Sequence, residues 1–352
     1  MRNEVLPTWS PRCEAAERRT PFTGNRKHAG GVARLLLSTP GGARPDSGTS
    51  NNHATIETHS LTESIREHVI EGGFRYHAYH AGKYPFPNGE VEQACDAMSH
   101  LLTLALCDGK AFFAPVHDLL TEGAEVLDLV ADEYPASSFL GLDLSPIQPD
   151  YVPPNVQFVV DDIEHENGWD YPENHFDYIH IRHVLGSIKD PRGLIERAFR
   201  HLKPGGYLEI QEFHVKAHCD DDSLPDSVPY RLNDFYSHLE RGLAVLGSDL
   251  HAVLSAPDYL ADAGFSPTGH EIFRCPIGSW PRLARLSYCG DLLRTVIHDS
   301  LGGLARKPFV CGLGWTSMQV EMLLVEVRRA IADKSIHTYM PLHVMYGRKP
   351  PE

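Results

Sequence analysis

Two apolar strings with very little chain between them set the tightest limit on this fold. Glu125-Val126-Leu127-Asp128 and Ser138-Phe139-Leu140-Gly141-Leu142-Asp143 both read as strands, the second ending in an acid. Only Leu129 to Ala136 lie between them. A parallel crossover usually takes about a dozen residues or more. No glycine interrupts that stretch, so the residues that let a backbone close on a ribose or phosphate are missing. The first βαβ crossover is therefore shortened.

The chain around this defect keeps a regular rhythm. Val156-Gln157-Phe158-Val159-Val160 is a third strand, running into Asp161, Asp162 and Ile163. Phe176-Asp177-Tyr178-Ile179-His180-Ile181 is a fourth. Asp190-Pro191 starts a helix, with the acid at the cap and proline in the first turn. Leu194, Ile195, Ala198, Phe199 and Leu202 make its apolar stripe. Pro204-Gly205-Gly206 ends it, and Tyr207–Phe213 is the fifth strand. Strands alternating with helices imply a mainly parallel sheet with helices on both faces.

The last third reads as a helix over Tyr259–Phe265, a strand near Glu271–Phe273, and a helical insert over about 279–334. Thr316-Ser317-Met318-Gln319 has the spacing of a capping box. Ile336–Tyr346 is the final strand. Ahead of the sheet, residues 91–107 place Ala94, Met98, Leu101, Leu102 and Ala105 on one helical face, expected to pack in the core. Residues 1–62, rich in Arg, Gly, Ser, Thr, Pro and Asn, read as a disordered tail before a single domain over 63–352.

Composition excludes several classes. The net charge is −15, split as +3 over residues 1–60 and −18 over the rest, which disfavours a direct grip on nucleic-acid phosphates. No apolar run nears the ~20 residues of a membrane span. The first residues lack the apolar core of a signal peptide, and Glu14 and Glu17 argue against a transit peptide. Seven cysteines without a CxxC fit a reducing compartment, cytoplasmic or nuclear.

Acids at successive strand ends carry the chemistry. In an open α/β sheet, ligands sit at the carboxyl ends of the strands. Asp143 is placed to accept both hydroxyls of an adenosine ribose. Asp162, with Ile163 beside it, is placed to hold the adenine amino group and pack its ring. The competing reading is that each acid only caps the turn that follows. His214 and His218, four apart with Cys219 adjacent, invite a metal reading, but no second ligand cluster matches them and no metal is expected. Tyr76, His77 and Tyr79 are placed equally to cover a ligand or to fill the core.

Several strings taken together resemble a known family. They are Phe139-Leu140-Gly141-Leu142-Asp143-Leu144-Ser145-Pro146-Ile147-Gln148-Pro149, Pro153–Phe158, Phe176–Arg182, Leu202-Lys203-Pro204-Gly205-Gly206-Tyr207-Leu208-Glu209 and Ile336–Tyr339. They resemble class I S-adenosylmethionine-dependent methyltransferases, in particular the fungal LaeA-like group. The likeness runs from about Gly73 to the C-terminus. It implies a seven-stranded Rossmann-like sheet, S-adenosyl-L-methionine as cofactor and a small-molecule methyl acceptor. It also implies cofactor-binding roles for Asp128, Asp143, Leu144, Asp161, Asp162, Ile163 and Arg182. His183, just past the fourth strand, becomes the candidate catalytic base; a structural histidine is the alternative. Glu212 is a weaker candidate.

The departure lies at the family's first motif, where a glycine-rich loop and a full helix should follow Leu127-Asp128. This leaves two functions open. One is a methyltransferase of secondary metabolism. The other is a catalytically impaired LaeA-like regulator acting through protein partners.

Overall fold

A computed structural model describes residues 67–127, 134–145, 147, 152–225 and 227–351. The disordered tail expected over 1–62 and the assignment of Asp128 lie outside the described residues, as does much of the string that follows Ser145.

A small antiparallel hairpin, β1 (His68–Glu71) and β2 (Phe74–His77), precedes helix α1 (Glu90–Leu106) and the short α2 (His117–Glu122). The main sheet then opens with β3 (Glu125–Leu127), β4 (Ser138–Asp143), β5 (Val156–Val160) and β6 (Phe176–Arg182). Helix α3 (Pro191–His201) leads to β7 (Leu202–Phe213) and the two-residue β8 (His218–Cys219). Helices α4 (Arg231–Leu246) and α5 (Ala256–Ala263) precede β9 (Ser266–Pro276). Helices α6 (Ala284–Lys307) and α7 (Ser317–Ala332) form the insert, and β10 (Thr338–Arg348) closes the sheet.

The sheet order is β5-β4-β3-β6-β7-β10-β8, with β9 also paired to β10. Strands β3 to β7 run parallel, and β10 runs antiparallel to β7 and β9. The eighth strand is a small addition to the seven expected. After β7 ends, β8 resumes pairing with the start of β10, Thr338 with Cys219 and Tyr339 with His218. The segment around His218 is thus sheet.

Local chemistry explains most boundaries. Asp190 Oδ1 accepts the Gly193 N–H at 2.9 Å, and Pro191 takes the first helical position of α3. The capping box on α7 is present in both directions: Thr316 Oγ1 accepts the Gln319 N–H, and Gln319 Oε1 accepts the Thr316 N–H. Helix α3 already ends at His201, and Pro204-Gly205-Gly206, expected to stop it, lies inside β7, which begins at Leu202. Lys349 N–H bonds Gly206 O and Gly205 N–H bonds Lys349 O, so the C-terminal segment holds this stretch in place, with Gly205 at φ +85°.

The two faces of the sheet bury different layers. Leu127, Ile179, Ile181, Leu208 and Ile210 meet α3 and α5, where Leu194, Ile195, Ala198 and Leu260 complete the core. Each of the large side chains contributes about 1.5–3 kcal/mol by leaving water. On the other face α1, α4, α6 and α7 share a core with Leu342 and Val344. Over β3 and β4 that same face is covered by Ala114, Val116 and Leu120, from α2 and the segment ahead of it. Glu209, fully buried in β7, pins this cover. Its Oε2 accepts the N–H groups of Phe113 and Ala114 and the Tyr178 hydroxyl, and its Oε1 accepts the Gln211 amide.

One helical face was read a step out of phase. In α1 the buried residues are Cys95, Leu102, Thr103 and Leu106, while Leu101 is 40% exposed. Ala94 and Leu101, both apolar, stay exposed, and the polar Thr103 is buried in their place.

Candidate functional site

Pairing register builds the site. Leu127, the last residue of β3, pairs with Leu140 on one side and Ile179 on the other. Asp143 and Arg182 each lie three residues further along β4 and β6. They therefore sit at the same height and, by the two-residue alternation of strands, on the same face. Two strand spacings put them about 10 Å apart. A cavity of about 330 Å³ opens there, between the carboxyl ends of the strands. Asp143 and Arg182 line it, with Leu142, Phe158, Ile163 and Ile181 among its apolar walls. Gly141 also lines it, directly under the Phe158 ring, where a β-carbon would not fit.

Asp143 Oδ1 accepts the Ser145 N–H at 2.7 Å. Burial pushes its carboxyl up to about 6, against the opposing pull of the Ser145 and Leu144 N–H groups. Leu144 thus acts through its backbone and is not among the described cavity residues. Asp161 serves the turn: its N–H bonds Asp143 O, and its Oδ1 accepts the Asp162 N–H. Ile163 offers its side chain to the cavity, while its carbonyl accepts from Trp169 and Arg197.

Asp162 is turned elsewhere. Its Oδ2 meets His80 Nδ1 at 3.0 Å and Lys83 Nζ at 3.4 Å, and its Oδ1 accepts the Glu164 N–H. Burial alone would raise this acid, but His80, the Glu164 N–H and Lys83 outweigh burial and hold it below the usual carboxylate range. The segment between β2 and α1 is therefore fastened across the strand ends. Asn88 Nδ2 donates to Ser145 Oγ at 3.0 Å, a second tie. Within that segment Tyr79 stacks on His80, whereas Tyr76 and His77 are buried in the hairpin.

His183 follows Arg182 in the left-handed region, with φ +56°. That conformation costs a side-chain-bearing residue about 1–2 kcal/mol, so its surroundings must hold it. Its ring lies flat on Phe213, Nε2 is 3.3 Å from Thr103 Oγ1, and Nδ1 is 3.9 Å from Glu212 Oε1. Glu212 in turn accepts the Leu185 N–H through its other oxygen.

Three residues of α1 escaped the sequence reading. Asp96, His100 and Thr103 stand at positions i, i+4 and i+7, one helical face turned to the strand ends. His100 Nδ1 accepts from Arg182 Nη2 at 2.8 Å, and Thr103 meets His183. Asp96 is open to solvent yet hemmed in by protein. This crowding, followed by Asp143 and Glu92, pushes its carboxyl up to about 6. The spacing was visible in the sequence, but the apolar stripe beside it drew the assignment. The strap residues His80, Lys83 and Asn88 left no periodic signal.

The histidines beyond β7 gather without forming a ligand shell. His214 lies 5.4 Å from His218 and 5.1 Å from His251 between ring centroids. Among the described residues no three His, Cys, Asp or Glu side chains are arranged to hold a metal ion. Also among the described residues, no helix is long and apolar enough to cross a membrane.

A methyltransferase domain model matches residues 118–245. The methyltransferase pytC of Aspergillus terreus is 36% identical over 308 residues, covering 83% of this chain and 91% of that protein. The chain belongs to the LaeA-like class I methyltransferases. Within that family, the secondary metabolism regulator laeA of Aspergillus niger is 30% identical over 292 residues, covering 80% of this chain and 76% of the relative. A protein of Emericella nidulans with the same identity and coverage carries the name protein-methionine methyltransferase laeA. The sheet of this methyltransferase reverses its winding between β3 and β6, and the crevice lies at that switch point, where open α/β sheets bind ligands.

Proposed function

We propose that this methyltransferase uses S-adenosyl-L-methionine to methylate a small-molecule acceptor in fungal secondary metabolism. The observation that carries the cofactor reading is the pairing of Asp143 with an apolar slot, Ile163 and Phe158, at the carboxyl ends of adjacent strands. A carboxylate there accepts both ribose hydroxyls, and the slot takes a flat base. The cavity volume lies within the range of small-molecule sites. When bound, the cofactor supplies an activated methyl group on a sulfonium. The chain's own residues then have to orient an acceptor beside His183 and exclude water. His183 accepts the acceptor's proton where the nucleophile is a hydroxyl or an acidic carbon. Glu212 and Thr103 hold its ring.

A second reading rests on Asp162. Because His80 and Lys83 engage it, the adenine end has one anchor fewer, which favours a LaeA-like regulator working through protein partners. Calorimetric titration with S-adenosylmethionine separates the two. The enzyme reading expects micromolar binding, weakened at least tenfold by Asp143→Ala. Absence of heat from a cooperatively folded protein supports the regulator.

A further inference from the structure

We propose that Arg182, held by His100, captures the carboxylate of the cofactor's amino-acid end, with Asp96 facing its ammonium, in place of the missing glycine-rich backbone cradle. This rests on the cofactor reading above and assigns the half of the ligand for which the sequence left no anchor.

Position is the first support. Arg182 stands level with Asp143 on the same face, about 10 Å away across the end of β3. A ribose and a short amino-acid chain span that distance. Among the described cavity residues Arg182 is the only Lys or Arg. A ligand whose ribose rests on Asp143 would therefore bring its carboxylate toward a single cation.

The state of Arg182 is the second. Its Nη2 donates to His100 Nδ1, an imidazole nitrogen, at 2.8 Å. A guanidinium has five N–H donors in a planar fork that matches a carboxylate in two bonds. One contact with an imidazole fixes the fork's direction without cancelling its charge. His100 is thus a positioning residue for Arg182.

The third support is Asp96, one helical turn before His100. Burial first, and then the charges of Asp143 and Glu92, both acids, raise its carboxyl. An ammonium placed there would relieve that repulsion. The zwitterion of an α-amino acid then meets complementary charge on both sides, cation at β6 and anion on α1. Backbone N–H groups normally do this work at a glycine-rich turn. Here a side-chain pair from two elements would replace them.

The test compares two ligands that share the adenosine half. S-Adenosylhomocysteine carries the amino-acid end, and methylthioadenosine lacks it. Titration calorimetry on the full chain should show S-adenosylhomocysteine binding at least tenfold tighter. Arg182→Met should remove most of that preference and leave methylthioadenosine affinity within twofold of wild type. Asp96→Asn and His100→Ala should narrow the preference by smaller factors, and they serve should Arg182→Met fail to fold by thermal melting. Equal binding of the two ligands to the wild type, or a preference unchanged by the variants, overturns the proposal while the cofactor reading stands. Failure of both ligands to bind a folded wild type overturns both.

Discussion

Two connections in this sheet perform the same task with unequal means. From β6 to β7 the chain spends residues 183–201 and builds α3, whose Leu194, Ile195 and Ala198 cover one face. From β3 to β4 it spends only residues 128–137, and the described part, Tyr134–Ser137, contains no helix. Both pairs of strands are nonetheless parallel neighbours. Parallel pairing is thus kept across a connection of ten residues as well as one of nineteen. What the short connection gives up in sequence is length and glycine. Cover comes from α2 and the segment pinned by Glu209. The polar groups near the cavity come from α1.

The largest expected effect falls on the helix-bearing connection. Ile195→Ala should cost about 3–4 kcal/mol in urea unfolding, because Ile195 is fully buried between α3 and the sheet. A cost below about 1 kcal/mol would mean that α3 contributes no more than the short crossover does.

The strand β10 and the rim of the cavity also answer pH in opposite senses. Burial lowers His343 in β10 to about 4, with His270 and His218 adding to the effect. Its unfolded value is 6.5, so the unfolded chain binds the extra proton between pH 6.5 and 4. Stability is full above 6.5 and falls on acidification, by about 2–3 kcal/mol at pH 4. Asp143 and Asp96, raised to about 6, act the other way: the folded state holds their protons longer, so stability falls as pH rises from about 4 to 6. Burial also lowers His214, to about 3, so urea midpoints measured against pH should show a shallower acid-side slope in His343→Gln and an unchanged one in Asp143→Asn.

Lengthening the short connection sharpens the comparison directly. A glycine-rich segment inserted after Asp128 should tighten S-adenosylhomocysteine binding about tenfold, or ~1.4 kcal/mol, by restoring backbone donors. Unchanged affinity would show that the side chains of α1 and β6 already do that work.

The smallest effect lies in the helical insert. Thr316→Ala removes one side of the capping box on α7 and should lower stability by about 1 kcal/mol without altering ligand affinity. A change in affinity would mean that the insert and the crevice are coupled.

The sequence by itself determined the order of strands and helices, the caps at Asp190 and Thr316, and the shortness of the first crossover. Each is a local matter: periodicity, a capping side chain, or a count of residues between two apolar runs. It also named Asp143, Ile163 and Arg182, which the fold brings to one cavity. Tertiary structure alone decided that Asp162 faces His80 and Lys83 rather than that cavity, because its partners lie about eighty residues away in the chain. The same holds for α1. Its helical period was legible, but which face met the core and which met the strand ends was not. A helix turned by one residue keeps its pattern and changes every neighbour. Only packing against the sheet, which placed His100 on Arg182 and Thr103 on His183, fixed that rotation.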